Sequence, residues 1–286
     1  MARSIRNRST RPCPGSSPRL SAAFALVLSL ITLTLTLGCT PQTEPRVAQE
    51  TTTPAAAPPT KRPQANTAAP PPTAGVGSSY KLGTTSLTIE VGKAGRLARL
   101  GHNHIVHSTA VSGRLTIDAN DQLEADLFVP VTSLLVDDAE QRSIHRARDP
   151  QSYSSEPTTQ QIASTRANML SQRVLNAEAH GFLQARVTAE DPAFTQTLRG
   201  TNLAVENHQT PVVLELQIAG SEATVKCDIH WRSSGDRIEW KTQFSVTHQE
   251  LGLTPFSALA GALRVAPELK LTLTGEINLD ATPAAN

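Results

Sequence analysis

Short segments in which apolar and polar side chains alternate fill most of the chain after residue 80, and they restrict its fold more than any other feature. A period of two places the apolar residues on one face of a β-strand and the polar residues on the other. The segments with this pattern are residues 87–91, 112–118, 123–131, 212–218, 225–232, 238–246 and 268–280. Each predicts a half-buried strand, and together they predict an all-β domain.

The clearest predicted hairpin joins the two strands that precede the C-terminal one. Residues 233–236, Ser-Ser-Gly-Asp, have the composition of a four-residue loop. A loop of this length would place Ile229 opposite Trp240 and Cys227 opposite Thr242. We therefore expect Trp240 to project into the interior beside the thiol of Cys227.

One interval interrupts the strand pattern and favours a helix. Residues 137–176 are mostly polar, and Pro157 is of the type that often begins a helix. Four apolar residues share one helical face: Ile162, Met169, Leu170 and Val174. We predict one amphipathic helix over about residues 158–172, which caps an opening or lies on a wall. About eight strands with a single helical excursion predict a closed antiparallel barrel, because closure leaves no exposed strand edge.

The interior of such a barrel is expected to be apolar. Eight strands enclose a space just wide enough for one ligand, and the inward residues here are mainly Leu, Val, Ile and Ala. The residues expected to contact a ligand are Leu115, Ile117, Leu127, Leu214, Leu216, Cys227, Ile229, Trp240, Phe244, Leu271 and Leu273.

The first 38 residues have the composition of an export signal. They contain five arginines and no acidic residue, and the apolar run of residues 22–37 has the length of a signal h-region rather than of a membrane span. Gly38-Cys39 follows and resembles the lipobox of bacterial lipoproteins, in which the cysteine is diacylated. We expect Cys39 to anchor the chain to a bacterial membrane. An uncleaved anchor and ordinary secretion are the alternatives.

A segment rich in Pro, Thr and Ala separates Cys39 from the strand region. It has almost no large apolar residues to offset the entropy of ordering, and at roughly 3.1 Å per residue it would reach at most about 120 Å. The expected organisation is a signal peptide over residues 1–38, lipidated cysteine and tether over 39–79, the barrel over 80–281 and a tail over 282–286. The barrel is expected in the periplasm of a bacterial cell envelope.

Charge and motif content argue against several functions. Removing the five N-terminal arginines from the net charge of +1 leaves about −4, which does not favour nucleic-acid binding. The sequence has no G-x-S-x-G, Gly-rich phosphate loop, H-E-x-x-H or C-x-x-C motif, so we predict a protein that is not an enzyme. Cys227 would be the only cysteine left after removal of Cys13 and acylation of Cys39. An internal disulfide is then excluded.

Three histidines lie close together just before the strand at residues 112–118. His102 and His104 share a face if their segment is extended, and an H-x-H pair with a third ligand is a known way to hold zinc or copper. If the strand runs unbroken, His104 points outward and His107 inward, and a bulge would reverse this. The alternatives are structural or rim hydrogen bonds, contact with a lipid head group, and metal or redox-cofactor ligation.

Several short motifs, in order, resemble those of the YceI-like family. They are residues 131–138 (VTSLLVDD) with Arg142, residues 174–178 (VLNAE) and residues 250–255 (ELGLTP). The resemblance covers about residues 80–281 and implies an eight-stranded, antiparallel, lipocalin-like barrel that binds a polyisoprenoid lipid inside. A quinone is a ligand of the same kind.

We therefore expect a lipid-binding, carrying or sequestering module rather than a catalyst, with no firmly implied cofactor beyond an isoprenoid or quinone lipid. A metal- or redox-linked module that uses His102 and His104 is one alternative. A structural envelope lipoprotein with a filled barrel is another. The partners expected are this lipid and, through Cys39, a membrane, and a homodimer is compatible with these features.

Overall fold

A computed structural model describes residues 78–200 and 207–279, and eleven strands in this part of the chain form one sheet. The strands are β1 (Ser78–Ala94), β2 (His104–Ser108), β3 (Ser112–Ile117), β4 (Leu123–Pro130), β5 (Leu135–Val136), β6 (Phe182–Ala189), β7 (His208–Ile218), β8 (Ser221–Ser234), β9 (Arg237–Thr247), β10 (Ser257–Ala258) and β11 (Leu263–Asn278). The α-helices are α1 (Ala139–Arg148), α2 (Thr159–Leu170) and α3 (Pro192–Leu198). The predicted signal, Cys39 and nearly all of the tether lie outside the described residues.

The eight long strands close into an antiparallel barrel. They are hydrogen-bonded in the order β11, β9, β8, β7, β6, β4, β3 and β1, and β1 pairs with β11 to complete the circle. Of the short strands, β10 pairs with β11, β2 pairs with β1, and β5 pairs with β2. Because each strand follows its sequence neighbour around the circle, this is an up-and-down barrel. The predicted fold class is confirmed, and β1 begins at Ser78, two residues before the predicted start.

The described residues contain three short α-helices where one was predicted. Helix α2 lies within the predicted range and begins with a capping box between Thr158 and Gln161. Helix α1 was missed because its buried residues, Arg142 and His145, are polar and give no apolar stripe. Helix α3 is only seven residues long and follows Asp191, whose side chain accepts the first free amides of the helix.

The predicted four-residue hairpin loop was wrong. Ser233 and Ser234 belong to β8, and Ser234 pairs with Arg237, so only Gly235 and Asp236 form the turn. Gly235 has φ of 62°, a left-handed conformation that suits the first position of a two-residue hairpin. Pairing is therefore shifted by two residues from that expected.

The shifted register changes the partners that were predicted across the hairpin. Trp231 lies opposite Trp240, and Ile229 lies opposite Thr242. The paired ladder of β8 with β9 ends at Ile229, so Cys227 pairs only with Val212 of β7.

Helix α3 closes one end of the barrel. Its Phe194 and Leu198 are buried in the core, and the Phe194 ring packs 4.7 Å from the ring of Trp231. The indole of Trp231 donates to Thr210 Oγ1 at 2.9 Å, and Thr210 in turn donates to Asp191 at the start of the helix. This end is therefore filled by side chains.

The hydrophobic core lies within the described residues and draws on all eight long strands. A chain that begins at Thr60 thus contains the barrel and its core. None of the helices in the described part is long and apolar enough to cross a bilayer.

Gly275 gives a test of packing inside the barrel. A β-carbon at Gly275 would lie 2.6 Å from Cζ2 of Trp240 and 2.7 Å from Oγ1 of Thr85. We predict that Gly275→Ala lowers the free energy of unfolding by about 1–3 kcal/mol, measured by urea denaturation. The exposed neighbour Thr274 provides the control, because Thr274→Ala should change it by less than about 0.5 kcal/mol. Unchanged stability of Gly275→Ala would contradict this packing.

Candidate functional site

A large apolar cavity opens at the end of the barrel opposite to α3. Its volume is about 450 Å³, within the roughly 300–1,000 Å³ that is typical of ligand pockets. Inward residues of the strands form its floor and walls: Ile89, Val91, Val106, Leu183, Ile218, Leu269 and Leu271. Helix α2 covers one side, and the other side is formed by the β1–β2 loop and residues 251–265. We call this space the mouth cavity.

Helix α2 is a loosely held cover for the mouth cavity. None of its residues is fully buried, although Ile162, Met169 and Leu170 pack against the core. Arg166 fastens it by donating to the carbonyl oxygens of Leu134 at 3.2 Å and Thr132 at 2.8 Å. Three of the four residues predicted to share the apolar face therefore lie on α2, whereas Val174 packs against the core from beyond the end of the helix.

A second, smaller pocket lies deeper in the barrel. It has a volume of about 60 Å³ and an apolar lining that includes eight of the residues predicted from sequence. These are Leu115, Leu127, Leu214, Leu216, Ile229, Trp240, Phe244 and Leu273. Leu273 lines this pocket. Leu271, which is the neighbouring inward-facing residue of β11, lines the mouth cavity. The two spaces therefore occupy consecutive layers of the barrel.

Two residues of the predicted contact set line neither space. Ile117 is fully buried in the core, and Cys227 is half-buried where β8 and β9 separate. The sulfur of Cys227 lies 3.4 Å from Thr242 Oγ1, and burial raises the pKa of this thiol. We therefore remove both from the expected contacts, and Cys227 packs against the core as a small hydrophobic residue.

The predicted directions of His104 and His107 are reversed. Strand β2 ends at Ser108 and β3 begins at Ser112, so the two segments are not one continuous strand. The alternation of inward and outward side chains in β3 therefore cannot be extended back to His104 and His107. His104 faces the mouth cavity together with His102, whereas His107 bonds outward to Thr88 Oγ1 at 3.1 Å. Of these three histidines, His102 and His104 line the mouth cavity, where a bound head group could contact them, and His107 does not.

His104 belongs to a buried charged network around Asp137. One carboxylate oxygen of Asp137 lies 2.6 Å from His104 Nδ1. The other accepts from Arg142 at 2.7 Å and from the backbone amide of Ile105 at 3.0 Å. Arg142 is only 3% exposed, so its charge depends on this partner.

Arg142 links the network to the segment between α1 and α2. Its guanidinium donates to Glu156 at 2.9 Å and to the carbonyl oxygens of Asn103 and Ser155. His102 Nδ1 also lies 3.0 Å from Ser155 Oγ. Both cavity-facing histidines are therefore held in place by hydrogen bonds from behind.

These contacts fix the protonation pattern of the site. Burial raises the pKa of Asp137, but the hydrogen bonds from His104 and Ile105 and the charge of Arg142 outweigh it, and the net pKa is lowered. The carboxylate can only accept, so His104 Nδ1 carries a hydrogen and leaves Nε2 for another partner. Burial and the neighbouring His104 lower the pKa of His102, which favours its neutral form.

Part of this network can be recognised in the sequence. Asp137 and Arg142 occur in the family-like motif, but adjacent aspartates at the end of a strand are also typical of a turn. Asp138 caps α1, whereas Asp137 organises the site. His248, whose Nδ1 lies 2.9 Å from the carbonyl oxygen of Pro267, also lines the mouth cavity and has no sequence signal.

The described residues contain no group of three or more His, Cys, Asp or Glu side chains that could hold a metal ion. The rings of His102 and His104 lie 6.2 Å apart. Their immediate polar neighbours are a serine hydroxyl and the Asp137 carboxylate.

Asp137→Asn tests the buried network. Asparagine keeps the shape and tolerates the φ of 52° at this position, but it removes the buried anionic partner of Arg142 and leaves it only the exposed carboxylate of Glu156. We expect a loss of about 3–5 kcal/mol in unfolding free energy at neutral pH. Asp138→Asn, which preserves the helix cap, should have little effect.

The same variant predicts a pH dependence. Because the pKa of Asp137 is lower in the folded protein than its ordinary value of 3.8, its ionisation stabilises the fold above that pH. The stability difference between wild type and Asp137→Asn should shrink as the pH falls through the lowered pKa. A difference that stays constant down to acid unfolding would contradict the assignment.

This chain is similar to several solved structures, among them a domain from Saccharophagus degradans and a protein from Burkholderia cenocepacia. No protein-family model and no curated protein matches this chain. A polyisoprenoid binding domain from Saccharophagus degradans, implicated in plant cell wall breakdown, is 14% identical with a TM-score of 0.47, and the match covers 70% of this chain and 98% of that domain. BcnA of Burkholderia cenocepacia is 10% identical with a TM-score of 0.42, covering 67% of this chain and 95% of BcnA.

Proposed function

We propose that this protein binds one long apolar lipid, of polyisoprenoid or quinone type, with its chain in the mouth cavity. The observation that carries the proposal is the apolar space of about 450 Å³ with a fixed histidine at its edge. A structural barrel whose interior is packed with side chains would not contain such a space. The deeper pocket lies in the next layer and would accept the end of a longer chain.

Burial of the lipid chain would supply most of the binding free energy. Each CH₂ group that leaves water contributes roughly 0.8 kcal/mol, and the cavity walls formed by the strands are mainly apolar. Affinity is therefore expected to rise with chain length until both spaces are filled.

The polar end of the lipid would lie at His104 and His102. With Nδ1 of His104 donating to Asp137, its Nε2 accepts a hydrogen bond from a hydroxyl group when neutral and donates to a carbonyl or phosphate oxygen when protonated. The network behind the ring limits its rotation. Orientation of the head group is thus obtained at little entropic cost.

The binding domain would work at a bacterial membrane. We propose that Cys39 carries the lipid anchor and that the barrel is held in the periplasm by the Pro-rich segment that follows. The role would be to carry or sequester the lipid between membrane encounters.

Filling the mouth cavity tests the proposed site. Thr165 lines the cavity from α2, whereas Ala167 lies on the exposed side of the same helix. We expect Thr165→Trp to remove most of the lipid that co-purifies with the full chain, as measured by solvent extraction and mass spectrometry. Ala167→Trp is the matched control and should keep the wild-type amount.

Two outcomes would contradict the proposal. One is wild-type lipid content in a folded Thr165→Trp variant. The other is wild-type protein that carries no lipid but near-stoichiometric zinc, copper or iron in metal analysis of the same sample.

Cys39→Ala tests the anchor separately. Radiolabelled palmitate should enter the wild-type protein and not the variant, because acylation requires the cysteine thiol. Equal labelling of both proteins would disprove the assignment of Cys39.

A further inference from the structure

Two loops beside the mouth cavity combine exposed apolar side chains with positive charge. The first is residues 95–101 between β1 and β2, and the second is residues 255–264, which includes β10. They contact each other, since the amide of Leu97 donates to the carbonyl oxygen of Ala262 at 2.8 Å. We call these two loops together the mouth rim.

The apolar side chains of the mouth rim are unusually exposed. Leu100, Phe256 and Leu259 are 57%, 48% and 63% exposed, and they are three of the five large apolar residues that are exposed in the described part of the chain. Leu100 and Phe256 also line the mouth cavity. An apolar surface thus continues from the cavity wall to the outside.

The backbone holds Leu259 in an unfavourable conformation. Leu259 and Ala260 have φ of 51° and 52°, in the left-handed region, and Gly261 follows with φ of 83°. This region disfavours a leucine, so local preference does not account for its presence at the tip. An apolar environment outside the protein would give the side chain a favourable contact.

All charges of the mouth rim are positive. Arg96, Arg99 and Arg264 are exposed, and neither loop contains an acidic residue. None of the carboxylates in the described ranges forms an ion pair with these three arginines. The rim therefore presents unpaired cations around apolar side chains.

We propose that the mouth rim docks on the surface of a lipid bilayer that contains anionic lipids. Arginines at the head groups with apolar side chains just below them is the arrangement of an interfacial membrane contact. The mouth cavity would then open toward the bilayer, so a lipid chain could pass between them without crossing water. That purpose rests on the proposed function, whereas docking itself is measured without it.

Charge disfavours a second copy of this chain as the occupant. A symmetric contact through the same surface would bring the arginines of both copies together, because the same patch faces itself. An anionic bilayer instead neutralises them.

Vesicle co-sedimentation tests the proposal with the domain that begins at Thr60, which contains the complete core and lacks Cys39. Vesicles of phosphatidylcholine with roughly 30 mol% phosphatidylglycerol should bind the domain, and pure phosphatidylcholine should bind it at least about tenfold more weakly. Arg96→Glu with Arg99→Glu should weaken binding to the anionic vesicles at least about tenfold. Lys226→Glu with Lys241→Glu makes the same charge change on exposed wall positions and should change it less than about twofold.

A separate variant tests the exposed apolar side chains of the mouth rim. Leu259→Asn removes the exposed side chain and suits the left-handed backbone, so folding should be kept, as circular dichroism will check. It should reduce vesicle binding by about fivefold or more.

The proposal is overturned if the domain ignores anionic vesicles, or if the rim and wall charge pairs weaken binding equally. It is also overturned if sedimentation velocity finds a dimer that Leu259→Asn dissociates while vesicles bind no protein. Lipid content measured on the same samples reports on the proposed function independently.

Discussion

Pairing of β1 with β11 is the interaction on which the rest of the structure depends. It converts a long meander into a closed wall with no free edge along its length, so every long strand has one face in a common interior. That interior favours apolar side chains, because burying a polar group without a hydrogen-bond partner is costly. The buried core residues follow this rule around the whole circle.

The two ends of the barrel differ in how closely they are packed. At one end α3 is tied to the wall by Asp191, Thr210 and Trp231, and its apolar side chains fill the space. At the other end α2 has no fully buried residue and leaves the mouth cavity beneath it. Elements with few buried contacts open at low free energy, so ligand exchange is expected at the α2 end.

Two sides of the mouth cavity differ in chemistry: a buried charged network lies on one, and the exposed mouth rim lies on the other. Asp137, His104 and Arg142 form a buried network that fixes two histidines at the cavity edge, because each charge is costly without the others. The mouth rim carries Leu259 and unpaired arginines, which suit a partner outside the chain. The polar end of a bound lipid and the bilayer from which it comes would thus be recognised by different residues of one opening.

Sequence alone determined seven of the eight long strands, the barrel and α2, because the periodic placement of apolar residues depends only on neighbouring residues. Strand β6 was not predicted. Helix α1 was not predicted, because its buried residues Arg142 and His145 are polar and are buried through tertiary contacts. The hairpin loop was predicted too long, because Ser233 and Ser234 are compatible with a strand as well as with a loop. Most of the predicted ligand contacts do face the interior. The alternation of side chains along a strand does not show, however, which layer of the barrel interior is packed and which contains a cavity. The location of the mouth cavity and the inward direction of His104 were decided by the tertiary structure, since they depend on how α2, the broken β2–β3 strand and distant Asp137 meet in space.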